Sequence, residues 1–214
     1  LKTTISDLEV IQKEVKGSLW YIDYKLENED KVITIATTRP ETMLGDTAIA
    51  VHPEDERFKD FVGKYAYIPI INKKIIIIAD EYVKVDQGSG AVKITPAHDF
   101  NDYEIGKRHK LEVINIFNEN AELNENCPIE YQNLGRFKAR EKIVSELETI
   151  GALNKVEENI HTVPYGDRSG EVVEPWLTDQ WFVNAKKLSL NAIDKVKTKE
   201  TVFVPQNWEK TYFD

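Results

Sequence analysis

Cysteine is nearly missing from this sequence. The single thiol, Cys127, allows no internal disulfide, and no Asn-x-Ser/Thr acceptor is present. Both fit a reducing interior, and a cytoplasmic location is expected. Cys127 sits in Glu125-Asn126-Cys127-Pro128 without a basic neighbour, so an inert thiol is expected rather than a nucleophile. Long apolar runs are also missing. With no stretch of about 18 apolar residues and no signal-peptide pattern, no membrane partner is expected. The histidines, His52, His98, His109 and His161, form neither a pair four apart nor a set with cysteine. Zinc is therefore not expected, and no metal or cofactor is implied. No Gly-x-Ser-x-Gly elbow occurs. Gly88-x-Gly90 lacks a third glycine and leads into a strand, which excludes a phosphate loop. No period of about 20–50 residues repeats. Positive charge is scarce: the net charge is −9. That excludes a general electrostatic nucleic-acid binder, so RNA would need a local basic patch or a buried pocket.

What remains is a globular composition. The 214 residues are 41% apolar and 30% charged, enough for one sizeable domain with its own core. The chain begins at Leu1 rather than Met and ends mid-pattern at Tyr212-Phe213-Asp214, so a piece of a longer protein is expected.

The pattern predicts strands at 19–24, 32–37, 47–51, 65–70, 75–79, 92–95, 112–117, 153–163 and 171–173. Helices are predicted at 53–61, from 99 through 109, at 137–150 and at 185–197. Leu1–Lys16 reads as a weakly patterned lead-in, Glu119–Glu130 as an acidic, Asn-rich loop, and 201–214 as an exit segment. Gln180–Val183 is short and aromatic. Strands outnumber helices, and most connections are too short for a βαβ series. The expected fold is α+β, a mainly antiparallel β-barrel core with peripheral helices.

The chain is organised around Val92–Tyr103. Val92 and Ile94 alternate with Lys93 and Thr95, and Pro96 stops the strand. Asp99 and Asp102 follow three apart, on one face of the next helix. One cation and two acids at a strand-to-helix junction can form a polar pocket. An Asp followed by an acid three positions later also resembles a capping box, and this stretch alone favours capping for Asp99. A second polar stretch, Thr37-Thr38-Arg39-Pro40-Glu41-Thr42, is an extended turn with three hydroxyls and one guanidinium. By itself it reads as a surface turn. Carboxylates, threonines, one lysine and one arginine can hold an ammonium and a hydroxyl and orient a water. With no evident nucleophile, they favour direct hydrolysis over a covalent route.

Two long motifs, Ala36–Asp46 and Gly90–Asp102, closely resemble the editing domain inserted in the class I tRNA synthetases for Val, Ile and Leu. Ser6–Val10, Ile78–Tyr82, Asp167–Gly170 and Glu174–Val183 extend the resemblance over nearly the whole chain. Leucyl relatives carry Asp where Glu41 stands, and isoleucyl relatives break the Arg-Pro pair, so Thr38-Arg39-Pro40-Glu41 resembles the valyl branch. The resemblance implies a β-barrel editing domain over 17–183. It implies a lead-in from the parent catalytic domain over 1–16, and an exit helix and segment back to it over 184–214.

The implied reaction is hydrolysis of threonine mischarged onto tRNA(Val), with threonyl-adenylate as a further substrate. By the same resemblance, Asp99 and Lys93 are catalytic, Asp99 anchoring the α-amino group. Asp102 contacts the threonine hydroxyl. Thr37, Thr38, Arg39, Thr42 and Thr95 line the pocket and hold substrate or the terminal adenosine. Implied partners are the aminoacylated 3′ end of tRNA(Val), its threonine moiety and the parent catalytic domain. Gln87 departs from the valyl pattern, where an aromatic often packs on the substrate. Candidate phosphate contacts are Arg39, Lys93, Lys107, Arg108, Lys110, Arg136, Lys138 and Arg140. The rival expectation is a module that binds the tRNA 3′ end and is inactive without the parent enzyme.

Overall fold

The computed structural model describes residues 5–179, 181 and 183–214. Contacts divide the chain into two compact units, Leu1–Leu177 and Thr178–Asp214.

The first unit is a strongly curled sheet. Strand β1 (Val10–Leu26) is its spine. It pairs antiparallel with β2 (Val32–Thr37), with β4 (Tyr65–Ile68) at its end, and with β7 (Leu153–Gly166) along Val10–Ile22. From β4 the sheet continues through β5 (Lys73–Ala79), β3 (Ala48–Val51) and β6 (Ala91–Ile94). All ladders are antiparallel except β3 with β5. β6 curls back against β2 without joining it in a ladder, giving an incompletely closed barrel. The expected α+β class with a mainly antiparallel, curved core is the observed one.

The central strand β3 shows why the pattern there is a continuous apolar run. Ile49 and Val51 face one core cluster, with Ile22, Tyr24, Ile33, Ile35, Met43 and Ile77. Ala48 and Ala50 face a second, with Ile78, Val83, Ile94 and Ile105. Both faces are covered, so period-2 alternation disappears. Helix α1 (Phe100–His109) lies over the alanine face, where short side chains leave room for it. At Gly106 a Cβ would meet the Pro96 ring at 2.9 Å, so the approach is as close as glycine allows. Helix α2 (Arg136–Thr149) buries Ala139, Ile143 and Leu147 in the larger cluster.

Several expectations change. The strand begins at Val10, so residues 10–16 of the expected lead-in belong to the sheet. The segment 53–61 is not a helix: only Lys59–Phe61 makes a 3-10 turn. Local bonds compete there. His52 Nδ1 accepts from Glu54 N–H, and the Asp55 carboxylate accepts from the Arg57 backbone and side chain. The segment 112–117 is not a strand. Only Phe117 bridges, to Leu123. Its backbone is bonded instead by side chains: Asn124 and Asn126 donate to Asn115 O, and Ile116 N–H donates to His98 Nε2. The segment 171–173 reduces to one bridge, Val172 with Tyr165.

The second unit holds α3 (Ala185–Lys197), capped by the Asn184 side chain at 3.0 Å from Lys187 N, and α4 (Trp208–Phe213) within the expected exit segment. Phe203, between the helices, meets Tyr212 of α4 with ring centroids 5.1 Å apart and planes tilted by 48°. Of the aromatic stretch Gln180–Val183, Gln180 and Phe182 lie outside the described residues. Among the described residues no helix is long and apolar enough to cross a membrane.

Candidate active site

The turn after β2 is a 3-10 helix, Pro40–Gly45, and it is wholly buried. Thr37 Oγ1 accepts from Arg39 N–H at 3.0 Å, and Thr42 Oγ1 donates to Arg39 O at 3.0 Å. The sequence alone suggested a solvated surface turn. Burial of Pro40–Gly45 corrects that reading, and two of the three hydroxyls hold the turn itself. Thr38 is half-buried and has no hydrogen-bond partner among the described residues.

Arg39 reaches across to the β6–α1 junction. Its Nη1 donates to His98 O at 3.0 Å, while Nη2 pairs with Glu174 and Nε lies 3.5 Å from Glu41. Arg140 clasps Glu41 through two bonds of 2.7 and 2.8 Å, and Arg136 joins Glu174 at 3.3 Å. Burial works against the Arg39 charge, but Glu174 and Glu41 outweigh it and raise its pKa.

Behind this turn lies a buried polar cluster. Asp46 is fully enclosed. Its Oδ2 accepts from Tyr24 OH at 2.8 Å, and its Oδ1 accepts from Thr95 Oγ1 at 2.6 Å and Lys93 Nζ at 3.1 Å. Lys93 also donates to Thr95 Oγ1. Burial raises the Asp46 pKa against the opposing pull of Lys93 and its other donors. Lys93, on β6, and Thr95, just past its end, fall on the same side of the chain, as their alternation with Val92 and Ile94 requires.

Asp99 and Asp102 open α1, and the structure separates their roles. Asp99 is the N-cap: its Oδ1 accepts from Asn101 N–H at 2.8 Å and Asp102 N–H at 3.1 Å. It is exposed, and its Oδ2 has no hydrogen bond from a described residue. Capping and an open oxygen therefore coexist. Asp102 is buried, and its Oδ2 accepts from Thr95 N–H at 2.9 Å. Burial, with the negative charges of Asp99 and Asp46, pushes its pKa up to about 7 against the pull of Lys93.

Five residues of this region were missed as site components: Tyr24, Glu41, Asp46, Tyr82 and Glu174. The acids could have been seen as charges inside the long motifs, 36–46 and 174–183. Burial, then the charges of Asp99 and Asp102, raise the phenol pKa of Tyr82. Gln87 is exposed. Among the eight candidate phosphate contacts, six are engaged by carboxylates: Arg39, Lys93, Arg136 and Arg140 as above, Lys107 by Glu104, and Arg108 by Asp80. Lys110 and Lys138 have no such partner among the described residues.

Nearly the whole sequence aligns with valine–tRNA ligases. The Pelagibacter ubique enzyme is 59% identical over all of this chain, and the Francisella tularensis enzyme 55% over all of it. The Geobacillus kaustophilus enzyme is 55% identical over 99% of the chain. A family model described as leucyl-tRNA synthetase, editing domain, matches residues 59–158. This chain belongs to the valine–tRNA ligase family and is an editing domain of it. It spans about a quarter of the length of these curated relatives. A solved leucyl-tRNA synthetase from Agrobacterium radiobacter K84, in a ternary complex with tRNA and LeuAMS, shares the fold. The TM-score is 0.55 at 20% identity, over 70% of this chain and 21% of that one. For an editing domain, the region where the Thr37–Thr42 turn, β6 and the start of α1 meet is the candidate active site.

Proposed function

We propose that this domain hydrolyses threonine mischarged onto tRNA(Val), and threonyl-adenylate, by a water positioned in the pocket at the start of α1. The observation that carries the reading is the pair of carboxylates with opposite settings. Asp99 presents an exposed oxygen beside Arg39, suited to an ammonium. Asp102 presents a buried carboxyl beside Lys93 and Thr95, suited to a hydroxyl. With its pKa raised to about 7, Asp102 is ionised in a large share of molecules at neutral pH, and an ionised carboxylate only accepts hydrogen bonds. Threonine's hydroxyl can donate one, and valine's methyl cannot. A hydrophobic valine pocket rejects such an isostere weakly, the valine–threonine pair being the known example, so a second, polar pocket must sort the products.

Water is the nucleophile in this reading. Cys127, the one thiol, lies in the core with its pKa pushed up to about 12 by burial. In this reading the Lys93 ammonium and the Thr95 hydroxyl steady the ester and its hydroxyl neighbour, and Asp99 fixes the amino end. The tRNA 3′ end and the parent catalytic domain are the proposed partners.

The rival reading, a 3′-end binding module that does not hydrolyse, has one observation in its favour. Most candidate phosphate contacts are already neutralised by acids, which leaves little charge for autonomous tRNA capture. One experiment separates the two. The chain is incubated with threonyl-tRNA(Val) and with valyl-tRNA(Val), and release of each amino acid is followed. Faster threonine release supports hydrolysis. Binding of the charged 3′ end without release supports the module.

A further inference from the structure

The hydrolytic reading leaves open what keeps Asp102 available to a substrate. The role inferred for Asp46 rests on that reading. Two buried acids, Asp46 and Asp102, stand near one buried ammonium, Lys93. A buried ammonium needs an anion, since leaving it unpaired costs far more than pairing it. Lys93 bonds to Asp46 at 3.1 Å and to Thr95 Oγ1, and makes no hydrogen bond to Asp102. Asp46 is itself fixed from the other side by Tyr24 at 2.8 Å. Asp102 spends Oδ2 on Thr95 N–H and accepts no hydrogen bond from a described residue on Oδ1.

We infer that Asp46 is a specificity-determining positioning residue: by holding Lys93 and Thr95 it keeps one oxygen of Asp102 open for a hydroxyl on the substrate side chain. Asp46 touches no substrate in this scheme. It acts through Lys93. Neutralise it, and Asp102 is a buried acid whose charge still acts on Lys93. The ammonium then takes the acceptor that the threonine hydroxyl requires, and threonine loses its advantage over valine.

Asp46→Asn tests this, because the amide keeps the volume and an acceptor but not the charge. The rate ratio of threonyl- to valyl-tRNA(Val) hydrolysis should fall about tenfold or more. A second readout needs no activity. The Lys93 side-chain ¹⁵N resonance in the Asn variant should titrate with Asp102, and adding Asp102→Asn should abolish that titration. Adding Lys93→Met to Asp46→Asn removes both charges. It should restore thermal stability and return the ratio toward wild type, while the absolute rate stays low because Lys93 itself is lost. This double variant also serves if Asp46→Asn alone does not fold.

A lowered melting temperature with an unchanged ratio, and a Lys93 resonance indifferent to Asp102, would overturn the inference and leave Asp46 a purely structural acid. If the wild-type chain hydrolyses neither substrate, the hydrolytic reading fails, and the Lys93 titration alone still decides whether Asp46 holds Lys93 off Asp102.

Discussion

At the scale of single residues, two buried groups on adjacent turns of one segment carry opposite pH signatures. Asp102 has its pKa raised to about 7, from an ordinary value near 4, first by burial. The folded state therefore holds that proton more tightly than the unfolded one. Its contribution is full below about pH 4 and is lost as pH rises through 7. His98 is the reverse. Burial, then the Arg39 charge, lowers its pKa to about 3, and its Nε2 accepts from Ile116 N–H, so the ring is neutral. Its contribution is present above about pH 6.5 and is lost as pH falls toward 3. At roughly 1.4 kcal/mol per unit, each is worth at most about 5 kcal/mol, and between pH 4 and 6.5 their slopes nearly cancel. Relative to wild type, Asp102→Asn should gain stability as pH rises across that window, and His98→Gln should lose it. Urea midpoints measured from pH 4 to 7 would show this as two difference curves of opposite slope; parallel curves would refute the pair. Asp99 makes a different kind of test. Asparagine caps as well as aspartate, so Asp99→Asn should leave the unfolding free energy from urea denaturation within about 0.5 kcal/mol of wild type. It should still cut threonyl-tRNA hydrolysis by about a hundredfold, because a misplaced amino group misplaces the ester. Full activity in that variant would reduce Asp99 to a cap.

At the scale of elements, the site is a matter of how closely α1 sits on the sheet. Ala48 and Ala50 leave it room, and Gly106 touches the Pro96 ring. Gly106→Ala should gain helix propensity and still lose about 1–3 kcal/mol, since a ring that cannot swing aside must be pushed away. The helix start would move with it, lengthening the 2.9 Å bond from Thr95 N–H to Asp102, and hydrolysis should fall more than stability. Thermal melts beside deacylation rates measure both. The elements also show how far the sequence could be read. Val32–Thr37 and Ala185–Lys197 came out with the observed bounds because alternation and amphipathic spacing are local signals. Lys93 and Thr95 could be paired for the same reason. Residues 53–61 misled because a proline and acids suit a helix start, whereas Asp55 turns back onto Arg57 instead. Residues 112–117 misled because their β-branched pattern says nothing of the asparagines that replace a partner strand. Asp46 was passed over because its partners, Tyr24 and Lys93, lie 22 and 47 positions away. No spacing rule reaches that far.

At the scale of the first unit, three separated segments are tied by charge as well as by the core. Arg39 and Glu41 belong to the buried turn, Arg136 and Arg140 to α2, and Glu174 to the stretch after β7. Removing one partner leaves two guanidinium groups facing each other with little solvent, so Glu174→Ala should cost about 3 kcal/mol or more by urea denaturation. A cost below about 1 kcal/mol would mean that the network is replaceable by water. The spine of the sheet has a consequence of another kind. Strand β1 finds β2 almost at once, but β7 is roughly 130 residues further along. On a ribosome adding about 5–20 residues per second, the first half of β1 waits on the order of ten seconds for its mate. During that interval it is a bare strand edge in a crowded cell. The stretch Gln12-Lys13-Glu14-Val15-Lys16 interleaves charge with its few apolar side chains. Such interruptions deter pairing with a neighbouring nascent chain, so the same residues that look undistinguished in the finished ribbon guard it while it is being made.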